Sequence, residues 1–143
     1  MVLVLANPAM GQSSYGEYGG AVFVGVKDTR TIWVNLPEYP ALIGERIPVR
    51  INGINTPSLK GKCKKETQLA ANAKSFMTKV FQEAELIDLE SITRGTYFHL
   101  VANVLVNDEN FVIQLIEKGY AVKTSNNKKA HNWCKKASTA KGK

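Results

Sequence analysis

Residues 47–58, IPVRINGINTPS, constrain this 143-residue chain more than any other stretch: they read as a strand with one face in a core, followed by an abrupt stop. Ile47, Val49 and Ile51 alternate with Pro48, Arg50 and Asn52, the period-two pattern of a half-buried strand. Gly53 and then Asn55-Thr56-Pro57 end it, because these residues favour turns over continued pairing.

Similar strand patterns fall near 20–27, 31–36, 46–54, 85–90 and 97–106. Between the third and fourth of these, Leu69, Ala73, Phe76, Met77 and Val80 mark one apolar helical face, so Phe76 and Met77 are expected in the core and not at a cofactor. A shorter helix near 110–118 turns Phe111, Leu115 and Ile116 inward and stops at Gly119. With 44% apolar residues the chain suits one modest core, expected over 20–134. Residues 1–19 have no sustained periodicity and read as a leader remnant or flexible arm, and 135–143 as a basic tail. No apolar run reaches the roughly 18 residues that a membrane-crossing helix needs.

Four elements, in order, resemble those of the staphylococcal-nuclease-like (thermonuclease) family. Arg50 to Ser58 is similar to its R-hydrophobic-x-G-I-D-T-P-E run, and Arg94-Gly95-Thr96-Tyr97-Phe98-His99 to its R-G-x-Y-x-R element. Leu115-Ile116-Glu117-Lys118-Gly119-Tyr120-Ala121 is similar to its closing L-I-x-x-G-x-A, and Asp28-Thr29-Arg30-Thr31 stands where D-G-D-T is expected. The resemblance implies an α+β, mainly β fold: a five-stranded OB-fold barrel with one helix between the third and fourth strands and a short C-terminal helix.

It also implies phosphodiester hydrolysis, with calcium held by two aspartates, a glutamate handling the attacking water and two arginines on the phosphate. Here the first aspartate falls on Arg30, the second on Asn55, the glutamate on Ser58 and the second arginine on His99, while Arg50 keeps its type. A shift of two residues would put Asp28 in the first aspartate's place; the Arg30 register is preferred because it aligns Thr31 and residues 32–35 with the family's next strand. Calcium is tuned by the number of charged oxygen ligands, and Asn55 offers one neutral oxygen. An inward Arg30 repels a cation: two unit charges about 4 Å apart interact by roughly 4 kcal/mol near a protein surface, and a dication doubles that. Ser58 cannot act as a general base at neutral pH, because a hydroxyl needs a neighbouring base before it gives or takes protons usefully. His99 supplies one donor where a guanidinium supplies five, and its plainer reading is a partly exposed strand histidine. The expectation is a catalytically inactive member with no cofactor and its calcium site lost. The enzyme alternative, a phosphodiesterase rebuilt around His99 and Asp28, requires both to converge near Arg50.

Net charge is +7, but seven lysines and no acid lie in residues 123–143; the remaining twelve basic residues match twelve acids. The basic character is a tail property, suited to phosphate or an anionic surface or simply to solvation. A second cluster, Lys60, Lys62, Lys64 and Lys65, borders the degenerate site; with Arg30 and Arg50 it makes a candidate phosphate patch, with Trp33, Tyr39 or Tyr97 as stacking partners. Because the body carries no net positive charge, another protein is the first expected partner and nucleic acid the second.

Residues 35–44, NLPEYPALIG, resemble a loop of an exported bacterial subgroup of the family, and Leu42 with Ile43 gives that loop an apolar edge for a partner. A cysteine pair recurs in the same subgroup, which implies a Cys63–Cys134 disulfide closing a loop of roughly 70 residues, with an entropic contribution of about 4 kcal/mol. Two free thiols in a cytosolic protein are the alternative. Two cysteines and two histidines make no close metal-ligand cluster, so no metal is expected. Met1–Ala6 followed by Asn7–Gln12 resembles the end of a secretory signal without its basic start. The subgroup resemblance and the cysteines together imply a periplasmic or secreted protein in an envelope or secretion-type assembly.

Overall fold

The computed structural model describes residues 14–124 and 131–135. The expected tail, apart from Lys135, and the signal-like residues 1–12 lie outside them. The chain forms β1 (Tyr18–Gly19), β2 (Val22–Asp28), β3 (Thr31–Asn35), α1 (Ala41–Gly44), β4 (Ile47–Ile51), β5 (Ile54–Asn55), α2 (Lys64–Glu83), β6 (Ile87–Arg94), β7 (Leu100–Val106), β8 (Glu109–Asn110), α3 (Phe111–Glu117) and β9 (Val122–Lys123).

The main sheet runs β1-β6-β7-β4-β3-β2, with β8 on β7. Its two outer strands are consecutive in the chain, separated by Gly20 and Ala21, and the Ala21 N–H donates to the Ile87 carbonyl at 2.8 Å. The sheet therefore curls back on itself as an OB-like half-barrel, α+β and mainly β, as expected. At its centre β4 pairs antiparallel with β3 (Thr31 opposite Arg50) and parallel with β7 (Val49 opposite Leu100). Val49 and Ile51 are buried and Arg50 is half-buried, the alternation read from the sequence. Pairing with β7 begins only at Val49, so the N–H that Pro48 lacks falls outside the parallel ladder.

Several boundaries differ from expectation, each for a local reason. The single strand expected over 46–54 breaks into β4 and β5, because Gly53 takes a positive φ of 80° and β5 leaves to pair with β9. Strand β6 starts later than expected and continues to Arg94, carrying one extra residue between Glu90 and Thr93. Residues 97–99, expected in the last strand, form a turn closed by His99 N–H on the Thr96 carbonyl at 3.0 Å. Residues 14–19 of the expected arm lie on the barrel: Tyr18 is buried, and the Tyr15 N–H donates to the Ile92 carbonyl at 2.7 Å.

Helix α2 buries Ala70, Ala73, Met77 and Phe81, while Leu69, Phe76 and Val80 are only half-buried. The buried stripe is thus turned from the one expected, because aromatic packing selects Phe81. Its ring stacks on Phe23 of β2 with centroids 5.4 Å apart and tilts against Phe111 of α3 at 4.6 Å, joining the barrel to α2 and α3. Asn110 caps α3 through Val112 N–H at 3.0 Å. At its other end the Tyr120 N–H donates to Leu115 O at 2.8 Å and the Gly119 N–H to Ile116 O at 3.0 Å, a Schellman closure that needs the positive φ of Gly119, 79°. Truncating the shared ring is expected to cost stability broadly: Phe81→Ala should lower the unfolding free energy by about 3–5 kcal/mol. Urea titration checks this; a loss below about 1 kcal/mol would mean that the three-element packing is not where α2 is held.

Candidate functional site

Two turns build the site, and the barrel holds them together. On β2, Val26 pairs with Ile32 and Asp28 with Thr31, so Lys27 bulges from the ladder. In the next turn the Arg30 N–H donates to Asp28 Oδ1 at 3.0 Å, and the Arg30 carbonyl accepts from Ile51 N–H at 2.8 Å. Buried Thr29 donates its one hydroxyl proton to the Pro57 carbonyl at 2.6 Å and so accepts from the Thr56 hydroxyl at 2.8 Å. This clasp draws the 28–31 turn onto residues 55–58, and a groove of about 1190 Å³ opens beside them. Arg30, Asn55 and Ser58 line it, with Lys27, Asp28, Lys60, Lys62 and Glu66; Arg50, His99, Lys64 and Lys65 lie outside its wall.

Arg50 nevertheless acts on the groove. Burial lowers the Arg30 pKa from its ordinary value, repulsion from the Arg50 guanidinium lowers it further, and the Asp28 carboxylate opposes both. Two guanidinium groups therefore share one corner, and the Nε of Arg50 is buried without a hydrogen-bond partner among the described residues.

One side-chain oxygen each of Asp28, Ser58 and Asn55 already accepts a hydrogen bond. Asp28 Oδ1 holds the Arg30 backbone. Ser58 Oγ accepts from Lys60 N–H at 3.1 Å. Asn55 Oδ1 accepts from the Trp133 indole N–H at 3.1 Å. Among the described residues no three His, Cys, Asp or Glu side chains come together as a metal centre requires. A hard divalent cation fits this donor set poorly, since it would compete with a fixed indole proton and two guanidinium groups.

Glu66 is a site residue that sequence reasoning missed. Only 9% exposed, it accepts Ser58 N–H on Oε2 at 2.9 Å and Lys62 N–H on Oε1 at 3.1 Å, so it shapes the 58–62 loop. Gly61 makes room for it: a Cβ there would meet Glu66 Cγ at 2.6 Å. The available signal was Cys63-x-x-Glu66 ahead of an apolar helical pattern, the spacing of a capping box. Cys63 is indeed the α2 N-cap, its Sγ accepting Glu66 N–H at 3.4 Å.

Cys63 and Cys134 form the expected disulfide, with Cα atoms 6.0 Å apart. It brings residues 131–135 to the groove, where Trp133 is buried beside exposed His131 and Asn132. Lys65 Nζ adds a bond to the Lys135 carbonyl at 3.2 Å.

At the other end, Lys27 Nζ lies 3.1 Å from His99 Nε2 and 5.1 Å from the centroid of Trp33, which Arg46 also approaches, at 5.3 Å. An ammonium only donates, so Nε2 is the acceptor and Nδ1 carries the proton, given to the Thr96 carbonyl at 2.9 Å. The basic nitrogen of His99 is therefore occupied, and His99 and Asp28 each have local partners, which weakens a site rebuilt on that pair. Trp33 serves as a seat for two cations in place of the expected stacking partner. Tyr97 and the unforeseen Phe98 are 87% and 91% exposed in successive left-handed conformations, φ 53° and 63°. Bulky residues rarely adopt that region, and it concentrates at functional sites.

A family model described as staphylococcal nuclease homologue matches residues 48–143. The match takes in Asn55, Ser58, His99 and the lysine cluster, and begins after the Asp28–Thr31 turn. No curated protein matches the chain. Because Trp133 already satisfies Asn55, restoring one carboxylate is expected not to restore a cation: Asn55→Asp should leave the thermal unfolding midpoint unchanged by millimolar calcium. A calcium-dependent rise would show that the pocket still accommodates the ion.

Proposed function

The chain belongs to the staphylococcal nuclease homologue family, and on that premise we propose that it is a binding module that holds a single-stranded polynucleotide without hydrolysing it. The observation that carries the loss of hydrolysis is the occupied Asn55 oxygen beside the Arg30–Arg50 corner. Asp28 Oδ1 is held by the Arg30 N–H and both Glu66 oxygens by the 58–62 loop, which leaves little charged oxygen to position calcium or to take a proton from water, so the ancestral calcium site is lost on this reading.

What supports a polynucleotide is the charge and shape of the groove. Lys27, Arg30, Lys60 and Lys62 line it, while Asp28 and Glu66, its acids, are bound to backbone N–H groups. Lys64 and Lys65 sit in the first turn of α2, where the helix dipole disfavours cations by about 0.3–1 kcal/mol each. That local cost is consistent with a cluster placed for an anionic ligand. The Lys27–His99 bond links the groove to the Tyr97–Phe98 tip, which offers exposed π faces to unpaired bases.

A second reading, a protein partner, is favoured by the opposite rim. Leu42 is 94% exposed, and next to it a 240 Å³ pocket is lined by Tyr15, Tyr18, Leu36, Tyr39, Ile43 and Leu100. An aromatic or aliphatic side chain from an envelope protein fits that recess. The disulfide suits an oxidising compartment, periplasmic or extracellular, and no helix among the described residues is long and apolar enough to cross a membrane.

Incubation with single-stranded DNA and RNA in millimolar calcium is expected to leave both intact; cleavage abolished by Arg50→Ala would defeat the inactive reading. Binding should weaken with salt at a slope of about −3 in log K against log salt, given four groove cations at roughly 0.7 each. Lys60→Glu with Lys62→Glu should remove most of it. Binding that resists salt and is lost in Leu42→Asp would favour the protein partner.

A further inference from the structure

We propose that the Cys63–Cys134 disulfide is a lock: it holds Trp133 in the groove as a plug, and its reduction by a dithiol releases the plug and opens the groove to a single-stranded polynucleotide. The inference rests on the polynucleotide reading for its ligand, but not for the lock itself.

The attachment of residues 131–135 is narrow. Trp133 is their one buried side chain; His131, Asn132 and Lys135 are exposed and Cys134 is half-buried. Beyond the disulfide and the packing of the indole, they are held among the described residues by one indole bond to Asn55 and one lysine bond to the Lys135 carbonyl. The indole occupies the oxygen that, on the family pattern, faces the reacting phosphate and its metal. A covalent tether makes this docking intramolecular, so a modest contact is kept formed; without it the same contact must compete with any ligand of the groove.

The preceding chain has its own anchors. Ile54 pairs with Lys123 and Asn55 with Val122, and the Thr124 N–H donates to the Gly53 carbonyl at 3.0 Å. The disulfide joins the α2 N-terminus to residue 134 without crossing the barrel, whose aromatic packing among Phe23, Phe81 and Phe111 lies elsewhere. Opening it frees the plug and leaves β5, β9 and the core in place.

The two sulfurs are chemically unequal. Cys63 Sγ caps a 20-residue helix and accepts Glu66 N–H, an environment that stabilises a thiolate. Cys134 Sγ lies 3.9 Å from the Glu66 carboxylate, which disfavours negative charge there. A reductant thiolate therefore attacks Cys134 Sγ, the sulfur–sulfur bond breaks, and its electron pair leaves on Cys63 as a thiolate. The second thiol of the reductant then attacks the mixed disulfide and frees Cys134 as a thiol. Two electrons have passed to the protein, and the dithiol has become a disulfide.

The test uses the full chain. The sequence has two tryptophans, so Trp33→Phe leaves Trp133 as the only indole emitter. Acrylamide quenching of that emission should rise several-fold on adding dithiothreitol, with the far-ultraviolet circular dichroism retained. In the otherwise unaltered protein, anisotropy of a labelled oligothymidylate should show at least tenfold tighter binding when reduced. The Cys63→Ser, Cys134→Ser double variant should match the reduced protein, and Trp133→Ala should bind tightly with its disulfide intact. Unchanged quenching after full reduction, or loss of the barrel signal, overturns the lock. Release of Trp133 with equal oligothymidylate binding in both states overturns the plug and leaves the binding-module reading standing. Release with no binding in either state, or in Trp133→Ala, overturns both the plug and the polynucleotide reading.

Discussion

The pairing of β4 on both of its edges is the constraint from which the rest follows. Val49 and Ile51 point into the core, and Thr31 opposite Arg50 with Val49 opposite Leu100 sets the register. A slip of one residue would drive Arg50 into the barrel and expose both aliphatic side chains, so the alternatives are steeply disfavoured. With that register held, the Arg30 carbonyl meets Ile51 and the Thr29 hydroxyl reaches Pro57. The groove is thus a by-product of strand pairing and of the Thr29–Pro57 clasp.

Inside that frame the electrostatics have changed sign. Where the family resemblance places carboxylates, this chain presents a guanidinium, an amide and a hydroxyl, and the amide and hydroxyl are satisfied within the protein. Glu66, the one buried carboxylate among the described residues, lines the groove with its two oxygens bound to N–H groups of the 58–62 loop. The indole N–H of Trp133 supplies the positive edge that Asn55 Oδ1 accepts. Hydrogen bonds within the protein thus engage the amide and the hydroxyl, and Lys27, Arg30, Lys60 and Lys62 line the same groove.

Much of this was legible in residue order. Alternation over 47–51 marked the central strand, Gly119 marked the end of α3, and Arg30, Asn55 and Ser58 do gather at one groove. Other features were hidden because they arise between elements distant in sequence. Phe81 shows its importance only once Phe23 and Phe111 arrive on either side of it. Trp33 looked like a base-stacking ring until the Lys27 bulge and Arg46 placed cations over it. The Tyr97–Phe98 turn was hidden by propensity: two aromatic residues read as strand, and the hairpin between β6 and β7 forces them into left-handed geometry.

By itself the sequence determined the half-barrel class, the family and the chemical identity of the altered positions, because periodicity and short turn motifs are local properties of the chain. Only the tertiary structure decided what those positions face. Asn55 and Trp133 are 78 residues apart, and neither shows in isolation that one consumes the other's hydrogen bond. Likewise Glu66 becomes a loop clamp only when the disulfide and Gly61 pack around it. Partners across such separations are chosen by how the barrel closes, a collective outcome of packing that no single segment encodes.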